Sequence, residues 1–352
     1  MVQIDGSMGE GGGQVLRSSL ALSMITQKPL LIENIRARRR PRTGLLRQHL
    51  TGLRAAVEIC GAEVEGDSLK STRVRFTPGP VKSGRYRFAV GTAGSAVLVL
   101  QTILPALMLA DGDSELVLEG GTHNSKSPPF EFLEHSFLPL LRQMGPGVEL
   151  ELVRPGFYPA GGGKLIARIH PAASLAPLSL TEVGERQPLR ARALVSALPR
   201  GIGHQELLTL REHLPLEWPD TEIVEFKDPP GPGNSLHVFL TCGCLTEVVT
   251  GFGERKVHAR SVAEAVVAEV KEYLRYDVPV GDHLADQLLL PLALAGGGRF
   301  HATPPSLHTT TNIDVIQRFL DVPFSITPLG EDAVDGAVVI AVGKDAVSPA
   351  QP

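Results

Sequence analysis

The residues near the start of the chain that are best suited to chemistry form a glycine-rich stretch, Gly9–Arg17, with the sequence GEGGGQVLR. Backbone N–H groups in such a turn can approach phosphates closely, and the N-terminus of a following helix favours anions. Glu10 would repel a phosphate unless it holds a divalent cation that bridges to it. The stretch is neither a P-loop nor a clean dinucleotide-binding fingerprint. The alternative is a tight turn that only begins a helix.

A basic cluster follows this stretch. It has six arginines within twelve residues and no acidic residue among them: Arg36, Arg38, Arg39, Arg40, Arg42 and Arg47. Guanidinium groups bind phosphates through two parallel hydrogen bonds. The absence of neighbouring carboxylates favours phosphate binding over the alternative, a solvated charged turn.

A single histidine, His308, lies in the segment PPSLHTTTNIDVI, 304–316. The Thr/Asn run after it predicts a helix that begins there, with Asn312 or one of the threonines as its N-cap. A neutral imidazole is a good nucleophile, and a nearby helix N-terminus keeps it neutral and supplies donors to an attached phosphoryl group. The alternative is a structural or merely exposed histidine.

Two further polar features lie in apolar surroundings. The segment GDHLADQ, 281–287, places Asp282, His283 and Asp286 at a predicted helix start. Acidic residues complement the positive end of a helix dipole, which explains Asp282 well and Asp286 poorly. Gln101 is a polar residue inside an apolar helical run and is a minor candidate for a binding residue. The alternative is an ordinary residue on the face of a helix.

The composition is that of a globular protein with a substantial core. Of the 352 residues, 43% are hydrophobic and 20% are charged, with a net charge of −4, so any nucleic-acid site must be a local patch. The three cysteines predict no disulfide framework. The N-terminus lacks the pattern of a signal peptide, and no apolar run is long enough to span a bilayer. A cytoplasmic protein without membrane contact is therefore expected.

The chain contains a threefold repeat of a glycine-containing turn and an apolar helical run, at 9–25, 91–109 and 281–298. Each run is followed by a strand-like stretch, a second helix and a further strand, which predicts a repeated α+β unit of two helices on a small sheet. In the first unit, Gly61 lies where a helix C-cap is expected. The second and third runs are widely separated, which predicts an inserted segment with its own α/β pattern.

The predicted organisation is therefore a large discontinuous domain with an insert. Residues 1–183 and 278–341 form the large domain of three units, residues 184–277 form a smaller inserted α/β domain before the third unit, and residues 342–352 form a C-terminal tail.

The motifs together resemble those of the RNA 3′-terminal phosphate cyclase family. The blocks GEGGGQVLRSSLALS, IRARR, GLLRQHL, GTAGSAVLVLQTILPAL, GFYPAGGGK, GPGN, HLADQLLLPLALAG and HTTTN occur in that family's order. The resemblance extends from about Ile4 to Phe324, nearly the whole chain, and it is specific because many separate blocks agree.

The resemblance implies a fold of three units, each with two helices on a four-stranded sheet, and an inserted α/β domain. It also implies a three-step reaction with ATP and a divalent cation, Mg²⁺ or Mn²⁺. The histidine attacks the α-phosphorus of ATP, AMP passes to an RNA 3′-phosphate, and the neighbouring 2′-hydroxyl displaces AMP to form a 2′,3′-cyclic phosphate. The RNA is expected to bind mainly through its end phosphate, and the protein to be a monomer or homodimer.

The resemblance also implies roles for particular residues. His308 is the expected nucleophile and Glu10 the expected metal ligand. Asp286 is expected to orient His308 or the nucleotide. The remaining expected contacts to ATP or phosphate are Arg17, Arg36, Arg39, Gln48, Gln101, His283, Leu284, Ala285 and Gln287.

The chain departs from the family pattern at two places. The loop IRARRRPRTG is richer in arginine and longer, which leaves open which of Arg38, Arg39 and Arg40 contacts the phosphate. His283 stands where some members have tyrosine. Two other classes share the architecture: non-catalytic cyclase-like ribosome-assembly proteins, which lack the nucleophilic histidine, and enolpyruvyl transferases, which do not need it.

Overall fold

A computed structural model describes residues 1–227, 229–330 and 333–346. The last strand of this part of the chain, Val338–Gly343, includes the first two residues of the predicted tail, so that boundary was placed too early. Residues 347–352, the rest of the predicted tail, lie outside the described residues.

The first unit alternates strands and helices and then adds a short hairpin. Its elements are β1 (Val2–Asp5), α1 (Gly13–Thr26), β2 (Leu30–Glu33), α2 (Arg47–Cys60), β3 (Glu63–Glu65) and β4 (Val74–Thr77). The strands form a sheet in the order β1-β2-β4-β3, in which β1 and β2 are parallel and the other neighbours antiparallel. As predicted, Gly61 ends α2 in the left-handed conformation that glycine adopts without strain.

The second unit repeats this topology with a more irregular second helix. Its elements are β5 (Arg85–Ala89), α3 (Ala96–Leu107), β6 (Ser114–Gly120), α4 (Phe130–Phe132), a π-helical turn (Leu133–Phe137), α5 (Leu138–Gln143), β7 (Gly147–Arg154) and β8 (Gly163–His170). The sheet order is β5-β6-β8-β7, and again only the first pair is parallel.

The third unit has the same topology but is interrupted after its first strand, β9 (Leu178–Leu180). The remaining elements follow the insert: α8 (Asp282–Leu294), β14 (Gly297–Ala302), α9 (Leu307–Phe319), β15 (Phe324–Pro328) and β16 (Val338–Gly343). The sheet order is β9-β14-β16-β15, with β9 parallel to β14. The insert therefore follows the first strand of this unit rather than the end of the second unit.

The insert has its own four-stranded sheet and two long helices. Its elements are β10 (Arg190–Ser196), α6 (Gly201–His213), β11 (Thr221–Glu225), β12 (Gly233–Cys242), β13 (Leu245–Phe252) and α7 (Ala259–Tyr276). The strand order is β11-β10-β12-β13. Most of its buried apolar residues form a cluster separate from the one that the three units share, and Leu245 belongs to the shared cluster. The predicted α+β class is confirmed, and we propose the division at 184–277 as the domain boundary.

The cap of helix α9 differs from the prediction. Its N-cap is Ser306, whose hydroxyl accepts a hydrogen bond from the Thr309 N–H at 3.3 Å, and neither Asn312 nor a threonine caps the helix. The helix begins earlier because the Ser306 hydroxyl can accept from the backbone N–H three residues later in the chain, and this contact favours a serine as the N-cap. His308 consequently lies inside the first turn, next to backbone N–H groups that have no partner within the helix.

The insert touches the third unit through a buried carboxyl group. Glu247 on β13 accepts a hydrogen bond from the backbone N–H of Gly281, the N-cap of α8, at 2.6 Å. Burial raises the pKa of Glu247 to about 8. Between pH 4.5 and about 8, Glu247 therefore keeps its proton in the folded protein, whereas the same group is ionised in the unfolded chain. Its contribution to stability falls as the pH rises from the unfolded pKa through the folded one.

The change Glu247→Gln is therefore expected to raise the thermal unfolding midpoint at about pH 8.5 and to leave it unchanged near pH 5. The glutamine oxygen can still accept from Gly281, and the amide carries no proton to lose. Scanning calorimetry across this pH range, with the exposed Glu254→Gln as control, measures the effect. A Glu247→Gln midpoint below that of the wild type at pH 8.5 would contradict it.

Candidate active site

The first turns of three helices meet at one place. Helix α1 contributes Gln14 and Ser18, α8 contributes Asp286, and α9 contributes His308 and Asn312. The apolar faces of these helices pack in the shared core, and this packing holds their polar N-terminal residues together. The meeting point joins residues of the first and third units that are about 270 to 300 positions apart in sequence.

Asp286 is the centre of a buried hydrogen-bond network. Its Oδ1 accepts from the Gln14 amide and, at 3.1 Å, from the Asn312 amide, while its Oδ2 accepts from Gln287 Nε2 at 3.0 Å. The Asn312 oxygen accepts in turn from the Ser18 hydroxyl at 2.7 Å. Burial raises the pKa of Asp286, and the nearby His308, Arg17 and these amide donors oppose that shift. The network explains why an acidic residue stands inside this helix.

The Gln14 side chain connects this network to His308. Because Gln14 Nε2 donates to the Asp286 carboxylate, its Oε1 must face His308, where it lies 2.9 Å from Nδ1. An amide oxygen only accepts, so Nδ1 carries a proton, and in the neutral ring the lone pair is on Nε2. Asp286 makes no hydrogen bond to His308 among the described residues. The geometry thus leaves Nε2 of an exposed histidine available as a nucleophile.

A chain of amides extends the network to the second unit. Gln101 on α3 donates to the Gln287 oxygen, and Gln287 donates to Asp286. These groups line a cavity that Gln14 also lines and whose apolar lining includes Met108, Phe137 and Leu290. Gln101 and Gln287, two of the residues expected at the ATP pocket, are thus in direct contact. A cavity with one polar and one apolar wall suits a base and its attached phosphates.

Glu10 is tied to the helix that carries His308. Its backbone N–H donates to Thr311 Oγ1 at 3.0 Å, and Gly9 has no side chain because one would overlap that hydroxyl. The carboxylate is 5% exposed and pairs through Oε2 with Arg39, while Oε1 has no hydrogen-bond partner. An unpartnered, buried carboxylate oxygen fits a cation ligand. Glu10 is thus suited to help hold the divalent cation that the family resemblance implies.

Two arginines face this region with little internal pairing. Arg17, one turn beyond Gln14, makes no ion pair among the described residues, and burial lowers its pKa to about 10. Arg36 donates to the Arg42 carbonyl at 3.1 Å, but its Nε lacks a partner. Burial, with the charges of these two arginines, lowers the pKa of the neighbouring His49 to about 3, so this ring stays neutral. Cations whose donors are unsatisfied in a half-buried position suit phosphate oxygens.

The three adjacent arginines of the loop differ in their contacts. Arg39 pairs with Glu10, Arg38 donates to the Gly9 carbonyl at 3.2 Å, and Arg40 is exposed and has no partner among the described residues. Arg39 therefore contacts the expected metal ligand, and its expected contact to a phosphate stays a prediction. Arg38 instead holds the glycine-rich turn.

The remaining predicted residues lie at varying distances from the network. Gln48 accepts from the Ser95 N–H at 3.0 Å and so secures the second glycine-containing turn. His283 is exposed at the start of α8. Leu284 and Ala285 are fully buried in the core, so their side chains serve packing rather than the predicted ATP pocket.

Gln14 is the functional residue that the sequence reasoning missed. It lies within the glycine-rich stretch, but a glutamine in an apolar helix gives no periodic signal of its role. Asn312 was considered only as a cap, yet it holds Asp286. Both assignments depend on contacts across nearly the full length of the chain, which local spacing does not reveal.

Comparison with known proteins identifies the family. The family model described as RNA 3′-terminal phosphate cyclase matches residues 8–326. The chain is 47% identical over 348 residues to the RNA 3′-terminal phosphate cyclase of Salmonella agona (strain SL483), covering 99% of each protein. It is 50% identical over 327 residues to the protein of that name from Koribacter versatilis (strain Ellin345), covering 93% of this chain and 92% of the relative.

In the part of the chain that the structure describes, helices of sufficient length and hydropathy to cross a membrane are absent.

The match over nearly the whole chain confirms the resemblance read from the motif blocks and the prediction of an enzyme, and it disfavours the enolpyruvyl transferases. The chain therefore belongs to the RNA 3′-terminal phosphate cyclase family.

Proposed function

We propose that this protein uses ATP to convert an RNA 3′-terminal phosphate into a 2′,3′-cyclic phosphate through an adenylate on His308. In the first step Nε2 attacks the α-phosphorus, a P–N bond forms, and the bond to pyrophosphate breaks. The RNA 3′-phosphate then displaces the imidazole and takes AMP. Finally the 2′-hydroxyl loses its proton, attacks the activated phosphorus and releases AMP.

The observation that carries this proposal is the orientation of His308. Asp286 fixes the Gln14 amide, Gln14 fixes the Nδ1 proton, and Nε2 is left unprotonated beside the first turn of α9. The unpaired N–H groups of that turn favour the oxygens of an attached phosphoryl group. This arrangement supports covalent catalysis more than it supports a scaffolding role, which needs no oriented nucleophile.

The surrounding residues support the same chemistry. Arg17 and Arg36 can stabilise negative charge on phosphoryl oxygens, and a divalent cation held with the help of Glu10 would neutralise charge on the phosphates. We propose that Gln101, Asp286 and Gln287 line the nucleotide cavity. The three free thiols, Cys60, Cys242 and Cys244, support a reducing compartment, and we propose the cytoplasm.

A labelling experiment tests the proposal. The protein is incubated with ATP labelled at the α-phosphate and with Mg²⁺ or Mn²⁺. Protein-bound label that is acid-labile and base-stable is expected, because a phosphoramidate has that stability. In a second assay, an RNA with a labelled 3′-phosphate should become phosphatase-resistant only when ATP is present. A wild-type protein that stays unlabelled, or resistance without ATP, would refute the mechanism.

Replacing Gln14 with methionine is expected to slow adenylate formation about 100-fold, because the imidazole loses the acceptor that fixes its proton and its orientation. Because Gln14 also lines the cavity proposed for the nucleotide, a smaller loss of apparent ATP affinity is expected beside the loss of rate. Single-turnover labelling at several ATP concentrations separates the two effects. Gln317→Met, an exposed position on the same helix as His308, is the control. An equal loss in both variants would rule out a specific positioning role.

A further inference from the structure

Two histidines and a glutamate meet in a second buried cluster, outside the proposed active site. His123 follows β6, Glu131 lies on α4, and His237 lies on β12 of the insert. All three side chains are at most 2% exposed. The cluster therefore joins the second unit to the inserted segment at a place that water does not reach.

The three inward-facing atoms are grouped closely. His123 Nε2 is 2.9 Å from Glu131 Oε2, His237 Nε2 is 3.5 Å from the same oxygen, and all three atoms lie within 4.8 Å of one another. Ligand atoms around a tetrahedral zinc ion with bonds of 2.0–2.1 Å are separated by roughly 3.3 Å. The spacing thus requires only small shifts to admit an ion. This is the one such group of three ligands in the described part of the chain.

The outer nitrogen of each imidazole is held by a threonine. His123 Nδ1 is 2.7 Å from Thr122 Oγ1, and His237 Nδ1 is 3.0 Å from Thr250 Oγ1. Thr122 is itself fixed, because its hydroxyl accepts from the Gly156 N–H at 2.8 Å. Hydrogen bonds of this kind orient metal-bound histidines and direct the lone pair of the other nitrogen to the ion.

The cluster contains a buried carboxylate, whose negative charge a bound cation would balance. Glu131 has no lysine or arginine within 4 Å among the described residues, and its charged or titratable partners there are the two imidazoles. A buried carboxylate needs a compensating charge. The Ser235 hydroxyl lies 2.9 Å from His237 Nε2.

We propose that His123, Glu131 and His237 bind a structural zinc ion that links the insert to the second unit. Two imidazoles and one carboxylate are common zinc ligands, and their burial leaves no open position for a substrate. The site differs from the cation site proposed at Glu10, which lies beside the arginine loop. Its proposed role is to fix the position of the insert, whatever reaction the protein performs.

Metal analysis of the full-length protein tests this proposal. The protein is produced without a histidine tag in zinc-supplemented medium, passed over a desalting column with a weak chelator and analysed by plasma mass spectrometry. About one zinc ion per chain is expected for the wild type and for Glu10→Gln. His123→Gln and His237→Gln should lose it, while His170→Gln, an exposed histidine paired with Asp113, should keep it.

A second measurement does not depend on the folding of the variants. X-ray absorption of the zinc in the wild type should show nitrogen and oxygen ligands, with the scattering pattern of two imidazoles. Wild type made in zinc-depleted medium should unfold at a lower temperature, and added Zn²⁺ should restore the midpoint. Folded wild type without zinc and without this response, or equal zinc in every variant, would overturn the proposal and leave a hydrogen-bonded triad.

Discussion

Replacement of His308 by asparagine is expected to abolish protein labelling by ATP, with a loss of at least about 10³-fold in the rate of adenylate formation. Asparagine has no nitrogen lone pair that can attack phosphorus, and no other imidazole is held by the Gln14–Asp286 pair among the described residues. Cyclisation of the RNA end should be lost in parallel, because the proposed route to activated RNA begins with this adenylate.

The position of His308 makes this test clean. Its side chain is exposed at the first turn of α9, so its removal opens no cavity and the unfolding midpoint should stay within the range of ordinary surface substitutions. The control is His213→Asn, an exposed histidine on the insert, which should label as the wild type does. Unchanged labelling of His308→Asn would place the nucleophile elsewhere and remove the basis of the proposed function.

The change Asp286→Asn is expected to lower the rate of adenylate formation by about 10²–10³-fold and also to destabilise the fold. The carboxylate accepts from three amides, Gln14, Asn312 and Gln287, whereas an asparagine side chain offers one oxygen and turns its own N–H₂ group toward a donor. One buried donor is then left unpaired, which costs about 1–3 kcal/mol. Because a neutral amide oxygen is a weaker acceptor than a carboxylate, the Gln14 amide is held less firmly and the tautomer of His308 is fixed less strongly.

A double-mutant cycle separates this role from simple instability. If Asp286 acts through Gln14, the effects of Asp286→Asn and Gln14→Met on adenylation should be far from additive. Asp282→Asn, four residues earlier on the same helix, should have little effect on the rate. Fully additive losses would mean that the two side chains influence catalysis by separate routes.

The local patterns of the chain were enough to predict much of the fold. Recurrent glycine turns before apolar helices identified the three units, and alternation of apolar residues identified the strands and helices of the insert. The strand β9 gave no comparable signal, because LSL is three residues long and pairs with a strand far along the chain. The exact place of the insert therefore required the structure.

The sequence was enough to predict which residues could belong to the candidate site, but not how their side chains contact one another. Residue type singled out His308, Glu10 and the arginines, since each carries a group that suits phosphate chemistry. The hydrogen bonds that link Asp286 to Gln14 and Gln14 to His308 depend on how the helices pack in the shared core. The spacing of residues in the sequence does not reveal this packing. The same holds for the burial of Leu284 and Ala285.

The interrupted third unit has a consequence for how the protein is made. During synthesis β9 leaves the ribosome well before its partner β14, with the whole insert between them. At about 5–20 residues per second, the wait for the intervening segment is on the order of ten seconds. Over that time the nascent insert can fold around its own core, while the short strand stays unpaired. Helix α9 emerges later still, so the proposed active site is completed only after most of the chain has been translated.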